Sequence, residues 1–435
     1  MRFRKATCYP MLILLGSMLG MGLGVGLVYY AFSMLVGPLQ EKFGWESSQI
    51  MDAPLIWVFV MALTLVPVGK VNDRYGPRFV MSAGALLAAS GLVGLGFMQT
   101  LWHFRLANAV LAFGMTGVSQ PVCMGAVARW FYKYRGWALG CTIAGGAVGA
   151  FAASRLWPIL LRSYGIRGVY LACAGFATFV LFPYVLAFMR RAPEDYGLRP
   201  FGATETPADT RKAPAREQEG LTSVEARHTA NYWLIMVYTL CANLAYNAVA
   251  MHFVPIFESG GLSREAASHM LGYTILLSFV GKVTGGLIAD YVNTKRFLAL
   301  AHVGYTAASA SLLFAGAEWQ LAFFVVVWGL SLGFSAGAYG ALAPELFGTR
   351  ELSTILSQFF ILQVIGSGVG PKISAYIYDT TQSYAVAYML AAGLYAVTVV
   401  LALLVQPRFL GPTKRRRAAQ PDTVALESQT AASRQ

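Results

Sequence analysis

Charged residues are scarce in this 435-residue chain. Only 12% of the residues are Asp, Glu, Lys or Arg, about half of the roughly 25% that soluble domains carry, whereas 57% are hydrophobic. This balance excludes a soluble globular protein. The apolar residues come in unbroken blocks, which also excludes a transmembrane β-barrel, because the strands of a barrel alternate apolar and polar residues. The composition therefore predicts an all-α integral membrane protein.

Cysteine and catalytic groups are scarce as well. The five cysteines lie in hydrophobic blocks or near the end of one, so we expect neither a disulfide nor a metal site. The sequence has no glycine-rich loop ending in Gly-Lys-Ser or Gly-Lys-Thr, which argues against ATP as the energy source. No nucleophile, base and orienting residue occur together at membrane depth. The chain is therefore not predicted to be an enzyme, and no cofactor is expected.

Twelve hydrophobic blocks are long enough to cross a bilayer, for which about 20 residues are needed. The first block lacks a cleavage site of small residues, so we expect a retained helix and not a secretory signal. An even number of crossings places both termini on one side of the membrane. The predicted spans fall at 11–36, 53–71, 79–98, 103–129, 137–160, 168–189, 231–257, 267–291, 297–316, 320–343, 354–378 and 384–406.

The basic residues indicate which side that is. With the N-terminus in the cytoplasm, most of the 33 basic residues fall in inner segments, and only Lys42, Arg105, Arg162, Arg167 and Arg264 fall in outer loops or at outer helix ends. Cytoplasmic loops carry such an excess of positive charge. Both termini are therefore predicted to be cytoplasmic, in a membrane of the bacterial inner-membrane type. The net charge of +13 is attributed to topology and to anionic membrane lipid, and not to a nucleic-acid partner.

When the sequence is aligned with itself at an offset of 217 residues, without gaps, the first part of the chain matches the second. This shift places Asp73 on Asp290, together with several glycines and prolines. Secondary carriers use two six-helix halves in the same orientation to form a substrate site between them. The repeat therefore predicts two such halves, at 1–190 and 231–406.

Two further segments are polar. Residues 191–230 are rich in proline, threonine and charge, and we expect them to form a cytoplasmic linker between the halves. Residues 407–435 begin with a basic run and continue as a polar one, which predicts a disordered cytoplasmic tail. The protein is expected to be a monomer.

A motif after the second span predicts a gate. Residues 69–78 read GKVNDRYGPR, and a weaker copy, GLIAD, stands at 286–290. Glycine at a helix end allows close backbone approach, and an aspartate can cap a neighbouring helix or pair with a basic residue. We therefore expect a latch at the cytoplasmic face that stabilises one of two arrangements. Its predicted members are Gly69, Asp73, Arg74, Gly76, Arg78, Gly286 and Asp290.

The pattern G-x-x-x-D-R-x-G-x-R resembles the signature loop of the major facilitator superfamily, and the resemblance extends over nearly the whole chain. The segments RWFYKYRGWALG at 129–140, AGGAVG at 144–149, PEDYGL at 193–198 and HFVP at 252–255 resemble landmarks of the monocarboxylate transporter family and its oxalate/formate antiporter relatives. The resemblance implies a twelve-helix carrier of small organic anions that works by alternating access.

Departures from that family concern the charged residues. Animal monocarboxylate transporters carry an arginine in span 8, an aspartate one turn before it and a lysine in span 1. The matching positions here are Lys282, Ser278 and Met34. The resemblance thus implies that the anion-binding charge is kept, whereas proton coupling by that family's route is not implied.

Lys282 is the main candidate for substrate binding. It lies well inside span 8, where a cation that faces lipid costs at least about 2.5–3.5 kcal/mol, and it follows Thr274 and Ser278 at helical spacing. No acidic residue lies at a similar depth in any span. We therefore expect Lys282 to face the cavity and to bind an anionic substrate. The alternatives are a lysine that snorkels to the inner surface and one that bonds a backbone carbonyl.

Other polar residues are expected to line the cavity, although polar side chains in spans often bond a neighbouring helix instead. These candidates are Tyr30, Gln120, Tyr246, Asn247, Ser278, Ser335 and Tyr339. Arg155 and Lys372, which the shift also superimposes, are expected either to attract anions in an outer vestibule or to reach outer headgroups. His252 is expected either to relay protons or to be held at the interface.

The sequence thus predicts a secondary active transporter of a small organic anion, most simply a monocarboxylate. Its coupling would be proton symport or anion exchange. Two other functions stay open. One is export of a neutral or amphipathic compound by the same fold, with Lys282 in a gating role, and the other is a substrate sensor that does not transport.

Overall fold

The computed structural model describes residues 2–30, 32–203, 220–250, 253, 257, 263–314, 318–407 and 409. In these residues the chain is helical, and extended pairing is confined to two isolated bridges, Phe131 with Phe201 and Gly220 with Gly348. The predicted tail beyond residue 409, the middle of the predicted linker and His252 lie outside the described residues.

Nine α-helices are found among the described residues of the first half of the chain. A π-helix over Gly22–Tyr30 and a 3₁₀ turn over Phe32–Leu35 follow the first α-helix, and a second π-helix, over Phe176–Leu181, joins the last two. The α-helices are α1 (Arg2–Met21), α2 (Val36–Phe43), α3 (Ser47–Ile50), α4 (Asp52–Tyr75), α5 (Pro77–Gly96), α6 (Leu101–Gly117), α7 (Gln120–Trp130), α8 (Arg135–Gly175) and α9 (Phe182–Phe188).

Seven α-helices follow in the described residues from 220 onward. Polar caps begin several of them. Ser263 Oγ accepts a hydrogen bond from the N–H of Ala266 at 3.2 Å, and Asn293 Oδ1 accepts one from the N–H of Arg296 at 3.3 Å, which satisfies backbone donors that a helix start leaves free. These helices are α10 (Ser223–Arg227), α11 (Ala230–Ala250), α12 (Arg264–Tyr291), α13 (Thr294–Ser311), α14 (Glu318–Phe347), α15 (Leu352–Thr381) and α16 (Ala385–Leu404).

Ten helical stretches among the described residues are long and apolar enough to cross a membrane, fewer than the twelve spans expected. One of the ten, Arg135–Phe188, has 54 residues and would be about 80 Å long if straight, whereas the bilayer core is about 30 Å thick. The chain turns within it at Gly165, where φ is +64°. Helix α13 is not among the ten, because Lys295, Arg296 and His302 lower the hydropathy of its 18 residues.

The two halves meet along two helix seams. Helix α4 packs against α15, and α8 packs against α12 and α14. Glycines allow the close approach, because a Cβ at Gly69 would lie 3.0 Å from the carbonyl oxygen of Ser353, and a Cβ at Gly286 would overlap the carbonyl oxygen of Gly136. Both contacts lie at the end of the bundle that carries Asp73 and Asp290, which we call the latch end.

Candidate functional site

The side chain of Asp73, in the first half, contacts the second half at the latch end. Its Oδ2 accepts hydrogen bonds from the backbone N–H of Thr354 at 2.9 Å and from the hydroxyl of Thr354 at 2.7 Å. Its Oδ1 accepts one from Nη2 of Arg129 at 2.7 Å, and the Arg129 side chain is only 2% exposed. Because Thr354 lies in the first turn of α15, the carboxylate also sits at the positive end of that helix.

Asp290 makes the equivalent contact in the opposite direction. Its Oδ1 accepts from the N–H of Gly136 at 2.8 Å, and its Oδ2 accepts from the N–H of Trp137 at 2.9 Å. Both donors lie in the first turn of α8. The same 217-residue shift that relates Asp73 to Asp290 relates Trp137 to Thr354. A carboxylate of each half therefore caps a helix of the other half.

The remaining predicted latch residues are arranged around these contacts. Gly69 and Gly286 form the close backbone approaches described above. Gly76 has φ of +87° at the turn between α4 and α5, a value that favours glycine. Arg74 and Arg78 are exposed, and the guanidinium of Arg74 lies 5.3 Å from the ring centroid of Tyr75. The structure thus brings the two aspartates and two glycines to the seams and leaves both arginines at the surface.

Two residues at the latch were missed by the sequence analysis. Asn72 donates from Nδ2 to the hydroxyl of Ser353 at 2.8 Å, and Arg129 pairs with Asp73. The signal for Arg129 was available, because a basic residue in the last turn of an apolar span needs a counter-ion. It was counted instead as one of the loop charges that determine topology.

The described ends of the linker also lie at the latch end. The N–H of Phe201 donates to the carbonyl of Trp130 at 2.7 Å, and the N–H of Leu221 donates to the carbonyl of Phe347 at 2.8 Å. Trp130 and Phe347 are related by the 217-residue shift. Each end of the linker is therefore paired with the loop that precedes a capped helix, and the two loops are equivalent.

Lys282 lies where helices from both halves cross. A Cβ at Gly337 of α14 would lie 3.0 Å from the carbonyl oxygen of Lys282, and a Cβ at Gly140 of α8 would overlap the same oxygen. Lys282 is eight residues from Asp290, or about 12 Å along α12. The structure thus places Lys282 in the interior of the bundle, at the seam between the halves.

The exposed face of α12 shows which way Lys282 points. Five of the seven large apolar residues that α12 exposes are Tyr273, Leu276, Val280, Leu287 and Tyr291. They form one stripe at helical spacing, which is the face that meets lipid, and at 100° per residue Lys282 lies nearly opposite to it. Ile275, two turns farther from the latch end on the face of Lys282, is 50% exposed. Lys282 therefore points away from lipid, toward an accessible interior surface.

Within the described part of the chain, Lys282 makes neither an ion pair nor a hydrogen bond with a carboxylate. The ion pairs found there are Arg105 with Asp52 and Arg129 with Asp73. Asp52 begins α4 at the end opposite the latch, and Asp73 lies in the latch itself, so neither is at the depth of Lys282. The ammonium group of Lys282 thus has no carboxylate partner among the described residues.

Among the predicted lining residues, Ser278 lies one turn before Lys282 in α12, and Tyr339 lies two residues after Gly337 in α14. Ser278 is buried and donates to the carbonyl of Ile275 at 2.8 Å, and its own carbonyl packs against Gly333 of α14. Tyr339 is partly exposed, and its hydroxyl lies 3.5 Å from that of Thr239. Ser278 therefore contributes to helix packing, whereas Tyr339 retains accessible surface at the depth of Lys282.

The other predicted lining residues mostly contact neighbouring helices. Asn247 is buried, donates to the carbonyl of Asn243 at 2.9 Å and packs against Gly370. The Tyr246 ring stacks on Trp328 at 5.2 Å. Ser335 donates to its own helix at 3.2 Å, Gln120 is the first residue of α7 and is partly exposed, and Tyr30 is the last residue of the first π-helix.

Arg155 and Lys372 are both exposed and lie on apolar stripes of their helices. Lys372 follows Val369 and precedes Tyr376 at helical spacing, and both of these are exposed. The guanidinium of Arg155 lies 5.6 Å from the ring centroid of Phe151. For Lys372, this placement favours outer headgroups over the vestibule.

Comparison with known proteins identifies the class. The family model of the Major Facilitator Superfamily matches residues 12–371 and, a second time, 259–432. The chain therefore belongs to the major facilitator superfamily. Its fold is that of a multi-pass membrane transporter and not of an enzyme.

Individual relatives place it near one branch of that superfamily. An MFS-type transporter of Gibberella moniliformis is 26% identical, over 82% of this chain and 81% of the relative, and monocarboxylate transporter 13 of Rattus norvegicus is 25% identical, over 79% and 76%. The crystal structure of the transporter FucP in the outward conformation matches with a TM-score of 0.70, covering 91% of this chain and 98% of FucP at 14% identity. The chain thus resembles the monocarboxylate transporter branch in sequence, and the structural match shows the fold.

Proposed function

We propose that this protein is a secondary active transporter of small monocarboxylates and that Lys282 binds the carboxylate. The proposal depends on one observation, the position of an ammonium group on the interior face of α12 with no carboxylate partner in the described residues. A buried ammonium is costly unless it is paired. A substrate carboxylate would supply the missing charge through a charge-assisted hydrogen bond.

Transport would proceed by alternating access. The Asp73 and Asp290 contacts hold the latch end closed in this structure, and substrate would enter from the opposite end. For release, the halves would rock apart, and both carboxylates would leave the helix ends that they cap. The partly exposed Tyr339 is the proposed second contact of the substrate, while the other predicted lining residues stay predictions.

We further propose twelve transmembrane helices, in two halves joined by the linker, with both termini in the cytoplasm of a cell membrane of the bacterial inner-membrane type. The turn at Gly165 within the 54-residue stretch and the polar helix α13 would add the two crossings beyond the ten apolar stretches. The excess of basic residues in the segments at the latch end supports a cytoplasmic latch. A monomer would suffice for this mechanism, because both seams lie within one chain.

Coupling would be by proton symport or by exchange of anions. In symport, the proton would travel with the acid, since the described spans offer no carboxylate at the depth of Lys282 to carry it. Lys372 would contact outer headgroups, and Arg155 would contact them as well or concentrate anions in the outer vestibule.

A thermal-shift screen of the purified protein tests the proposed function. The probes are formate, acetate, lactate, pyruvate and benzoate at pH 5.5 and 7.5. An acid that binds, when its free concentration is 100 times its Kd, should raise the free energy of unfolding by about 2.7 kcal/mol. Stabilisation by a neutral amphipath and by none of the acids would favour the exporter, and binding without counterflow in proteoliposomes would favour a sensor.

A glycine substitution tests the alternating mechanism. We expect Gly140→Ala to lower transport about tenfold or more, because the added methyl group would overlap the carbonyl of Lys282 and hold the two halves apart. The matched control is Gly368→Ala in α15, where a Cβ meets nothing within 4 Å. Equal transport by both variants, measured as counterflow in proteoliposomes, would show that close packing at Gly140 is not needed for transport.

A further inference from the structure

A buried histidine lies among tyrosines in the second half. His302 of α13 is 2% exposed. Its Nε2 is 3.1 Å from the hydroxyl oxygen of Tyr238, and its Nδ1 is 3.0 Å from the carbonyl oxygen of Leu298. The rings of Tyr305 and Tyr395 lie 5.5 and 6.0 Å from the imidazole, centroid to centroid.

These contacts fix the tautomer of the neutral ring. A carbonyl oxygen only accepts hydrogen bonds, so Nδ1 must carry the hydrogen that it shares with Leu298. In the neutral imidazole, Nε2 then has a free lone pair, and the hydroxyl of Tyr238 donates to it. The titratable groups that contact His302 are Tyr305 of the same helix, Tyr238 of α11 and Tyr395 of α16. All three are neutral at physiological pH, so no charge among them favours an imidazolium.

The hydrogen bond of His302 leads toward the proposed substrate site. The Tyr238 ring stacks on the ring of Tyr339, with centroids 6.0 Å apart and planes 10° apart. Tyr339 follows Gly337 of α14 by two residues, and a Cβ at Gly337 would lie 3.0 Å from the carbonyl oxygen of Lys282. The side chains of three helices thus form a continuous series from the buried imidazole to Tyr339, which lies within one helical turn of the point where α14 crosses Lys282.

We propose that neutral His302 is a positioning residue for substrate binding. It orients Tyr238, the Tyr238 ring supports Tyr339, and Tyr339 presents its hydroxyl to the carboxylate bound by Lys282. This inference rests on the proposed function. It assigns His302 a role in affinity and none in carrying the coupled proton.

The test compares His302→Leu with His302→Gln. Leucine removes the acceptor for Tyr238, whereas the side-chain oxygen of glutamine can replace it. Uptake of the five acids into proteoliposomes gives KM and the maximum rate from pH 5.5 to 7.5. We expect His302→Leu to raise KM about tenfold, the loss of one buried hydrogen bond, with the maximum rate little changed. His302→Gln should stay within about twofold of the parent, with the same pH profile, and the exposed His103→Leu serves as the control.

Three outcomes would overturn the inference. One is an unchanged KM for His302→Leu, and another is a pH profile that His302→Gln alters, since the imidazole would then titrate during transport. If both variants fail to fold, Tyr238→Phe keeps the stacked ring and removes the hydroxyl, and an unchanged KM in that variant would be equally decisive. Failure of the proposed function is distinct, because the parent protein would then bind none of the acids.

Discussion

Replacing Lys282 with glutamine is expected to lower carboxylate uptake at least about 100-fold. The substitution leaves the side chain polar and of similar length but removes the only positive charge that the proposal places on the substrate. Breaking a buried ion pair by removing one partner costs about 3–5 kcal/mol, and each 1.4 kcal/mol is about tenfold in affinity. Initial rates of uptake into proteoliposomes, with the same panel of five acids, measure the effect.

A second lysine of the spans provides a matched control. Lys372→Gln removes the same charge from an exposed stripe of α15, and uptake should change by less than about threefold. If Lys282→Gln still transports the acids at the rate of the parent, the carboxylate is bound elsewhere. If the Lys282→Gln variant exports a neutral compound as fast as the parent protein does, Lys282 does not select the substrate.

Asp73→Asn is expected to open the latch end. Asparagine can still accept the hydrogen bonds from Thr354, but the Arg129 guanidinium, 2% exposed, would lose its ion-pair partner. An uncompensated buried charge costs about 3–5 kcal/mol, enough to shift a two-state equilibrium by more than about 100-fold. Spin labels at the exposed positions Lys70 and Arg350, on opposite sides of the α4–α15 seam, should report a longer distance.

A double variant of Asp73 and Arg129 and a substitution of an exposed aspartate supply the controls. The double variant Asp73→Asn with Arg129→Met removes both charges and should recover part of the closed population, because no buried cation is left alone. Asp379→Asn, at an exposed position, should leave the distance unchanged. A closed distance in Asp73→Asn would mean that the glycine seams, and not the ion pair, hold the latch end together.

Much of the latch could be predicted because it repeats. A shift of 217 residues marked Asp73 and Asp290 as equivalent, and the physical properties of a carboxylate suggested a helix cap or a basic partner. The structure has a cap for each of the two and a basic partner for Asp73. The partner itself, Arg129, could not be identified, since a one-dimensional sequence does not show which helix lies beside another.

The lining of the site was harder to predict, for a related reason. Helical periodicity groups Thr274, Ser278 and Lys282 on one side of α12. Part of that side packs against the glycines of α14, and part of it is accessible from the interior of the bundle. The carbonyls of both Ser278 and Lys282 lie against glycines of α14, but Ser278 is buried and Lys282 is partly exposed. Similarly, His302 is in a helix too polar to rank among the apolar stretches, and the sequence analysis considered His252 instead.

The pairing of the linker has a mechanical consequence. Phe201 is joined to a loop of the first half, and Leu221 to the equivalent loop of the second, so each end of the linker would travel with its own half as a rigid attachment. The contacts that must break and form when the arrangement changes are then those of two carboxylates and a few glycines. Turnover rate could accordingly be tuned during evolution by substitutions in that small set, independently of the residues that select the cargo.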